Sequence, residues 1–228
     1  SDGYVGKPVE AGTDVFAMDI ANGSTDGPTY DSGFPVDFLM RRKPTGGNDD
    51  GSGGLNNTFI AYERLLGLNY LRTAGTDAQT TSSRAKWDLM TGANHTDASP
   101  FQAWMWKRHA GFDVVTYEGT SNGTTKTVNH SLGRVPEMIW IKDRTTTQNW
   151  FAYHKGLNGG TTPWNYYVLL NSSAAEGAYS FINQPTTSDF AVTSGWQGNG
   201  GKYVAMLFAS VAGISKCGYY DGTGYTGH

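Results

Sequence analysis

The chain carries a near-copy of itself. Phe101-Gln102-Ala103-Trp104-Met105-Trp106, followed by His109-Ala110-Gly111, answers to Tyr203-Val204-Ala205-Met206-Leu207-Phe208, followed by Val211-Ala212-Gly213. Phe101 and Tyr203 lie 102 residues apart. That period exceeds the roughly 50-residue units of solenoids and propellers and matches whole domains instead. The chain is therefore expected to fold as two related units rather than as one irregular core.

The match continues upstream. Phe34-Pro35-Val36-Asp37-Phe38-Leu39-Met40-Arg41 answers to Val135-Pro136-Glu137-Met138-Ile139-Trp140-Ile141-Lys142. Phe59-Ile60-Ala61-Tyr62-Glu63-Arg64 answers to Trp150-Phe151-Ala152-Tyr153-His154-Lys155, with an offset of only 91. The shortfall is a glycine-rich insertion at residues 44–54 of the first unit. Residues 71–76 and 170–175 match loosely. The boundaries that follow are an extension at 1–8, a first repeat at 9–111, a second at 112–213 and a tail at 214–228. The tail reads as the first strand and turn of a third copy that breaks off, either in a fragment of a longer array or in an assembly whose neighbour completes it. The absence of an initiator Met points to trimming at the front.

Composition sets the class. Glycine makes up 31 of 228 residues, aromatics 13% and charged residues only 16%, while Thr, Ser and Asn are abundant. Such a mixture suits short strands joined by glycine turns and disfavours helices. Apolar residues at 38% suffice for a core. In the second unit, strands are expected at 112–117, 124–129, 137–143, 150–154, 166–171, 179–182, 190–193 and 202–210, with short helical turns at 172–177 and 76–83. The expected fold is all-β: two tandem antiparallel β-sandwich, jelly-roll-like domains of about 100 residues, plus the partial third repeat. Trp104-Met105-Trp106 reads as core filling rather than as an aromatic platform, because its repeat partners are Met206, Leu207 and Phe208.

Several function classes drop out. Net charge is −3 and pI about 5.9, and basic runs are confined to Arg41-Arg42-Lys43 and Lys107-Arg108-His109, so nucleic-acid binding is not expected. No apolar run reaches the ~20 residues of a membrane helix. The single cysteine, Cys217, excludes an intrachain disulfide. The five histidines, His95, His109, His130, His154 and His228, have no metal-ligand spacing, and no nucleophile elbow, P-loop or dinucleotide fingerprint occurs. No cofactor, metal or catalytic residue is assigned. Asn48-Asp49-Asp50-Gly51-Ser52 offers calcium-type oxygens without a calcium-loop spacing, and reads as a solvated loop. Asp88, Glu118, Glu137 and Asp143 could supply a hydrolytic carboxylate pair, which needs two of them about 5–10 Å apart.

Recognition is expected where the copies differ. Trp164 and Tyr166 lie in a Gly- and Thr-rich loop, Trp196 and Gln197 in a glycine-rich one, and neither Trp has an aromatic partner in the first unit. These four are the candidate ligand-binding residues. Aromatic faces beside amide groups suit sugar rings; the competing reading is a protein contact, where Trp and Tyr are also enriched.

Phe112-Asp113-Val114-Val115-Thr116-Tyr117, Val128-Asn129-His130-Ser131-Leu132-Gly133, Val135-Pro136-Glu137-Met138-Ile139-Trp140-Ile141-Lys142 and Trp150-Phe151-Ala152-Tyr153-His154-Lys155-Gly156-Leu157 together resemble the repeated β-domain of uncharacterised structural proteins of tailed bacteriophages. Many of these are marine, and they are described as tail-fibre-like or virion proteins. The resemblance covers nearly all of the second unit and, more loosely, the first. It implies a virion location in an extracellular particle and host-surface binding. Tandem β-domains that display loops point further to other virion proteins as partners and to a homo-oligomer, for which a trimer is a fitting form, with host-surface carbohydrate as the ligand. It supplies no catalytic or binding residues. The alternative is a polysaccharide-degrading tailspike-type glycoside hydrolase.

Overall fold

A computed structural model describes residues 11–24, 27–43, 59–82, 85–87, 89–95, 101–120, 124–193, 197–198 and 200–220. The protein is all-β, built from antiparallel sheets in stacked layers, and consistent with a β-sandwich. The strands up to residue 106 are β1 (Phe16–Ile20), β2 (Tyr30–Asp31), β3 (Phe38–Arg42), β4 (Ile60–Glu63), β5 (Asn69–Arg72), β6 (Thr80–Thr81), β7 (Ala85–Lys86), β8 (Gly92–His95) and β9 (Gln102–Trp106). Beyond the turn at 107–111 come β10 (Phe112–Glu118), β11 (Lys126–Asn129), β12 (Met138–Asp143), β13 (Phe151–His154), β14 (Tyr166–Leu169), β15 (Gly177–Ala178), β16 (Asp189–Val192) and β17 (Lys202–Phe208).

The two sets of strands share one plan. The first six-stranded sheet runs β1-β9-β3-β4-β5-β6 and the second β10-β17-β12-β13-β14-β15. Each therefore pairs its first strand with its last and then meanders outward. Each is covered by a small sheet, β2-β8-β7 in the first half and β11-β16 in the second. The isolated bridge between Ile182 and Val192 stands where Ala85 of β7 pairs with His95.

Register gives residue-level equivalences. Phe16 pairs with Trp106 as Phe112 pairs with Phe208, and Phe38 pairs with Trp106 as Met138 pairs with Phe208. The 102-residue offset of the closing strands holds. The offset between β3 and β12 is 100, from Phe38 and Met138, so aligning Pro35 with Pro136 runs one residue long. The loose match of Leu71 to Leu170 is also corrected: Ala61 pairs with Leu71 and Ala152 with Val168, so Leu71 answers to Val168. The second half spends its extra loop residues on turns at Leu157–Gly160 and Pro163–Asn165.

Three buried clusters fill the gaps between layers. One lies between β2, β8, β7 and the first large sheet, around Tyr30, Leu39, Tyr62 and Met105. One lies between β11, β16 and the second, around Ile139, Phe181, Phe190 and Leu207. The third is the seam between the two large sheets, where Phe38, Ala61 and Leu71 meet Phe112, Trp150, Val204 and Met206. Ala103 and Met105 point inward and are fully buried, while Trp104 and Trp106 are half-buried on the seam side. The Trp-Met-Trp block thus fills space on both faces of an interior strand, as alternation requires.

Hydrogen bonds lock the seam along one margin. The Trp150 indole N–H donates to Arg72 O at 2.8 Å, Gln148 N to Thr76 O at 2.9 Å and Gln79 N to Arg144 O at 2.9 Å. Lys142, fully buried, donates from Nζ to Thr76 O and Asp143 O. Near the chain crossing, Arg108 joins Asp113 at 2.6 Å and its backbone N–H donates to Asp37.

Other expectations change. No helix forms at 172–177, and within 76–83 Thr80–Thr81 is a strand; the short helical turns are of 3-10 type and lie elsewhere. The strand expected at 179–182 shrinks to the bridge at Ile182, with Gly177–Ala178 pairing instead. Residues 214–220 form no strand. Val211 bridges Ser215 across a turn, and Cys217 buries itself in the seam cluster. An extended segment needs a strand edge to satisfy its backbone; this tail finds an apolar seam. Gly111 and Gly213 hold equivalent turns at φ +81° and +74°, a region that favours glycine.

Candidate functional site

Of the hollows in the surface of the described residues, two lie along the large sheets. The first, of about 380 Å³, is an apolar cleft at the end of the seam. Its walls include Phe16 and Phe112, then Trp106 and Phe208, which are pairs of equivalent positions. Residues that recur in both halves serve the shared frame. Beside the cleft, Glu137 accepts from Ser210 and sits 3.0 Å from Lys155. Burial and the Lys155 charge push the His154 imidazole below its usual range, and burial raises the Cys217 thiol. A thiol shifted upward is a poorer nucleophile. The Glu137–Lys155 pair also recurs in the first half as Asp37–Arg64, at 3.3 Å, at equivalent positions just before β12 and β3 and just after β13 and β4. That repetition marks an anchor of the fold.

The second hollow is larger, about 710 Å³, and belongs to the second half alone. Phe151 and Tyr167 form its aromatic wall with ring centroids 5.0 Å apart, and Tyr179 stands at the rim, 43% exposed. Tyr203 lies in the floor. Its hydroxyl accepts the Gly198 N–H at 2.8 Å and its ring stacks on Tyr117 at 5.1 Å. Thr145, Thr146 and Gln148 contribute the polar side, and Gly198, Gly200 and Gly201 expose backbone. The equivalents of Phe151 and Tyr167 in the first half are Ile60 and Tyr70, both buried.

Asp143 borders this hollow but is saturated. Its Oδ1 accepts from Thr145 N, Thr145 Oγ1 and Thr146 N, and its Oδ2 from Thr146 Oγ1 at 2.7 Å. Burial pushes its carboxyl up, yet these hydrogen bonds outweigh burial and hold it below the usual range. A carboxylate so held is a turn-former and a weak general acid.

Of the four carboxylates considered for hydrolysis, the three among the described residues do not gather. Asp88 lies outside the described residues. Glu137 and Asp143 flank opposite ends of β12, six residues apart, or about 20 Å at ~3.3 Å per residue. Glu118 shares the seam face of its sheet with Val114, whereas Asp143 shares the other face with Ile139 and Ile141. Among the described residues no group of three or more His, Cys, Asp and Glu could hold a metal ion. Residues 48–52 lie outside them, as does the 44–54 insertion. No helix of the described residues is long and apolar enough to cross a membrane.

Three of the four candidate ligand-binding residues can be placed, and Trp196 lies outside the described residues. Trp164, in the turn Pro163–Asn165, is half-buried against the inner cluster of the second half, and Tyr166 opens β14, also half-buried. Gln197 is turned inward. It is only 5% exposed, and its Nε2 donates to Thr120 Oγ1 at 3.1 Å, so its amide anchors the loop instead of meeting solvent. The larger hollow is lined by their immediate neighbours instead: Tyr167 beside Tyr166, and Gly198 beside Gln197. Tyr179 and Gln148 were missed. The available signal was that Tyr179 follows a glycine-containing strand with no aromatic at the equivalent Ser82.

A family model described as a domain of unknown function, DUF7483, matches residues 69–228, most of the chain, from the start of β5 through the whole second half. No curated protein and no solved structure matches.

Proposed function

The chain belongs to the DUF7483 family, a domain of unknown function, and we propose that it is a non-enzymatic structural and adhesive component of a virion, of tail-fibre, appendage or decoration type. The two halves are read as tandem copies of one β-sandwich unit. The observation that carries the reading is the repetition of the frame: the same strand order in both large sheets and the same acid–base anchor, Asp37–Arg64 and Glu137–Lys155. Tandem units displaying loops on a shared frame suit a fibre or shell, as viral β-sandwiches do. The resemblance of 112–117, 128–133, 135–142 and 150–157 to phage structural repeats supplies the location. The partners are other virion proteins and further copies of this chain, with host-surface carbohydrate as the external ligand.

The test is peptide mass spectrometry on density-gradient-purified particles from a lysate that contains this gene. The protein is expected at fixed stoichiometry with the major capsid protein. Its presence only in the soluble fraction would overturn the virion reading.

A further inference from the structure

The hollow in the second half has the build of a sugar site. Its volume, about 710 Å³, falls in the roughly 300–1,000 Å³ range of ligand sites and exceeds a single ring. Phe151 and Tyr167 present an apolar wall of the kind that meets the C–H face of a pyranose. That wall is preset. Phe181 stands edge-on to Tyr167 at 6.3 Å, and Gly177 leaves room behind the ring, since a Cβ there would come within 2.6 Å of Tyr167 Cζ. Preset aromatic surface lowers the ordering cost of binding.

The polar groups are free to serve hydroxyls. The side chains of Gln148, Tyr167 and Tyr179 make no hydrogen bond among the described residues, whereas those of Thr145, Thr146 and Asp143 satisfy one another. Charge narrows the class: no Lys, Arg or His is among the described residues lining the hollow, and its one carboxylate is spent. An acidic glycan would meet no cation there.

We propose that the concavity formed by Phe151, Tyr167, Tyr179 and Gln148 is a saccharide-binding subsite that takes a neutral, pyranose-type oligosaccharide. This rests on the adhesive reading above and assigns that role to specific residues. At the equivalent positions of the first half, Ile60 and Tyr70 are buried.

The test is an array bearing neutral hexose oligomers (α- and β-glucans, mannans, galactans) beside sialylated and sulfated glycans. It is probed with the full chain, with Tyr179→Ala and Gln148→Ala, and with Met90→Ala on the exposed first half as control. Tyr179 and Gln148 are exposed, so both variants are expected to melt with the parent. The expected result is binding to neutral oligomers that weakens about tenfold in Tyr179→Ala, falls in Gln148→Ala and persists in Met90→Ala. Neutral binding unchanged in Tyr179→Ala and Gln148→Ala would overturn this site and leave the adhesive reading standing. Binding to acidic glycans alone would overturn the ligand class. No binding to any glycan would overturn both the site and the adhesive reading.

Discussion

The first half buries Arg41, Tyr62 and His95 at the positions where the second buries Ile141, Tyr153 and Val192. Arg41 lies over the Phe101 ring at 4.4 Å, and the Tyr62 hydroxyl meets His95 Nε2 at 2.9 Å and Arg41 at 3.4 Å. At those three positions the second core is aliphatic and aromatic. Strand order and register are the same across both. Backbone pairing and inside–outside alternation thus fix the plan, while the filling is negotiable. The freedom that lets one half carry a polar core also lets the other line a hollow with Phe151 and Tyr167.

The largest expected effect comes from the seam that joins the halves. Trp150 is fully buried there and its indole N–H bonds Arg72 O. Trp150→Ala should cost about 3–5 kcal/mol, read by urea denaturation. A loss below about 1 kcal/mol would mean that the halves do not depend on each other.

Next is a pH effect from the same seam. Burial drives the Glu63 carboxyl up to about 8, only partly countered by Arg144, and neither oxygen has a hydrogen-bond partner among the described residues. The folded protein keeps a proton that the unfolded chain releases near pH 4.5. The associated stability is whole below pH 4.5 and drains away as pH rises to about 8. Melting temperature should therefore fall between pH 5 and 8, and Glu63→Gln should flatten that slope. A slope unchanged by Glu63→Gln would assign it to another group.

The two tyrosines sharpen the comparison of cores. Tyr62→Phe strips a hydroxyl from buried partners and should cost about 1–3 kcal/mol. Tyr153→Phe, in an aliphatic setting, should stay within about 0.5 kcal/mol. Equal costs would erase the distinction between a polar and an apolar core. The smallest effects belong to the shared anchor. Asp37→Asn and Glu137→Gln remove part-exposed ion pairs and should each cost under about 1 kcal/mol, alike in both halves.

Much of this plan was legible in the sequence because repetition exposes what a frame requires. The Phe101 and Tyr203 blocks gave the closing strands with their true offset, and Tyr62 and Tyr153 fell on equivalent inward positions. The rest escaped for physical reasons. Pro35 and Pro136 match by chemistry but sit one residue apart in register, since a loop can absorb a residue that a ladder cannot. The tail's likeness to a first strand did not make it one, because pairing needs an open partner edge. Gln197 looked like a surface amide because glycines surround it; only tertiary contact with Thr120 shows it turned inward. Tyr167 was hidden by its own repeat, as the equivalent Tyr70 is a core residue.

The central claim is that the first half is frame and the second half reads. Backbone amide shift mapping on the full chain, titrated with the neutral hexose oligomer that binds best on the array, tests it most directly. Perturbed amides should cluster at 145–148, 167, 179 and 198–201, with residues 60–95 silent. Perturbation centred on the first half, or at the seam cleft around Trp106 and Phe208, would contradict the account.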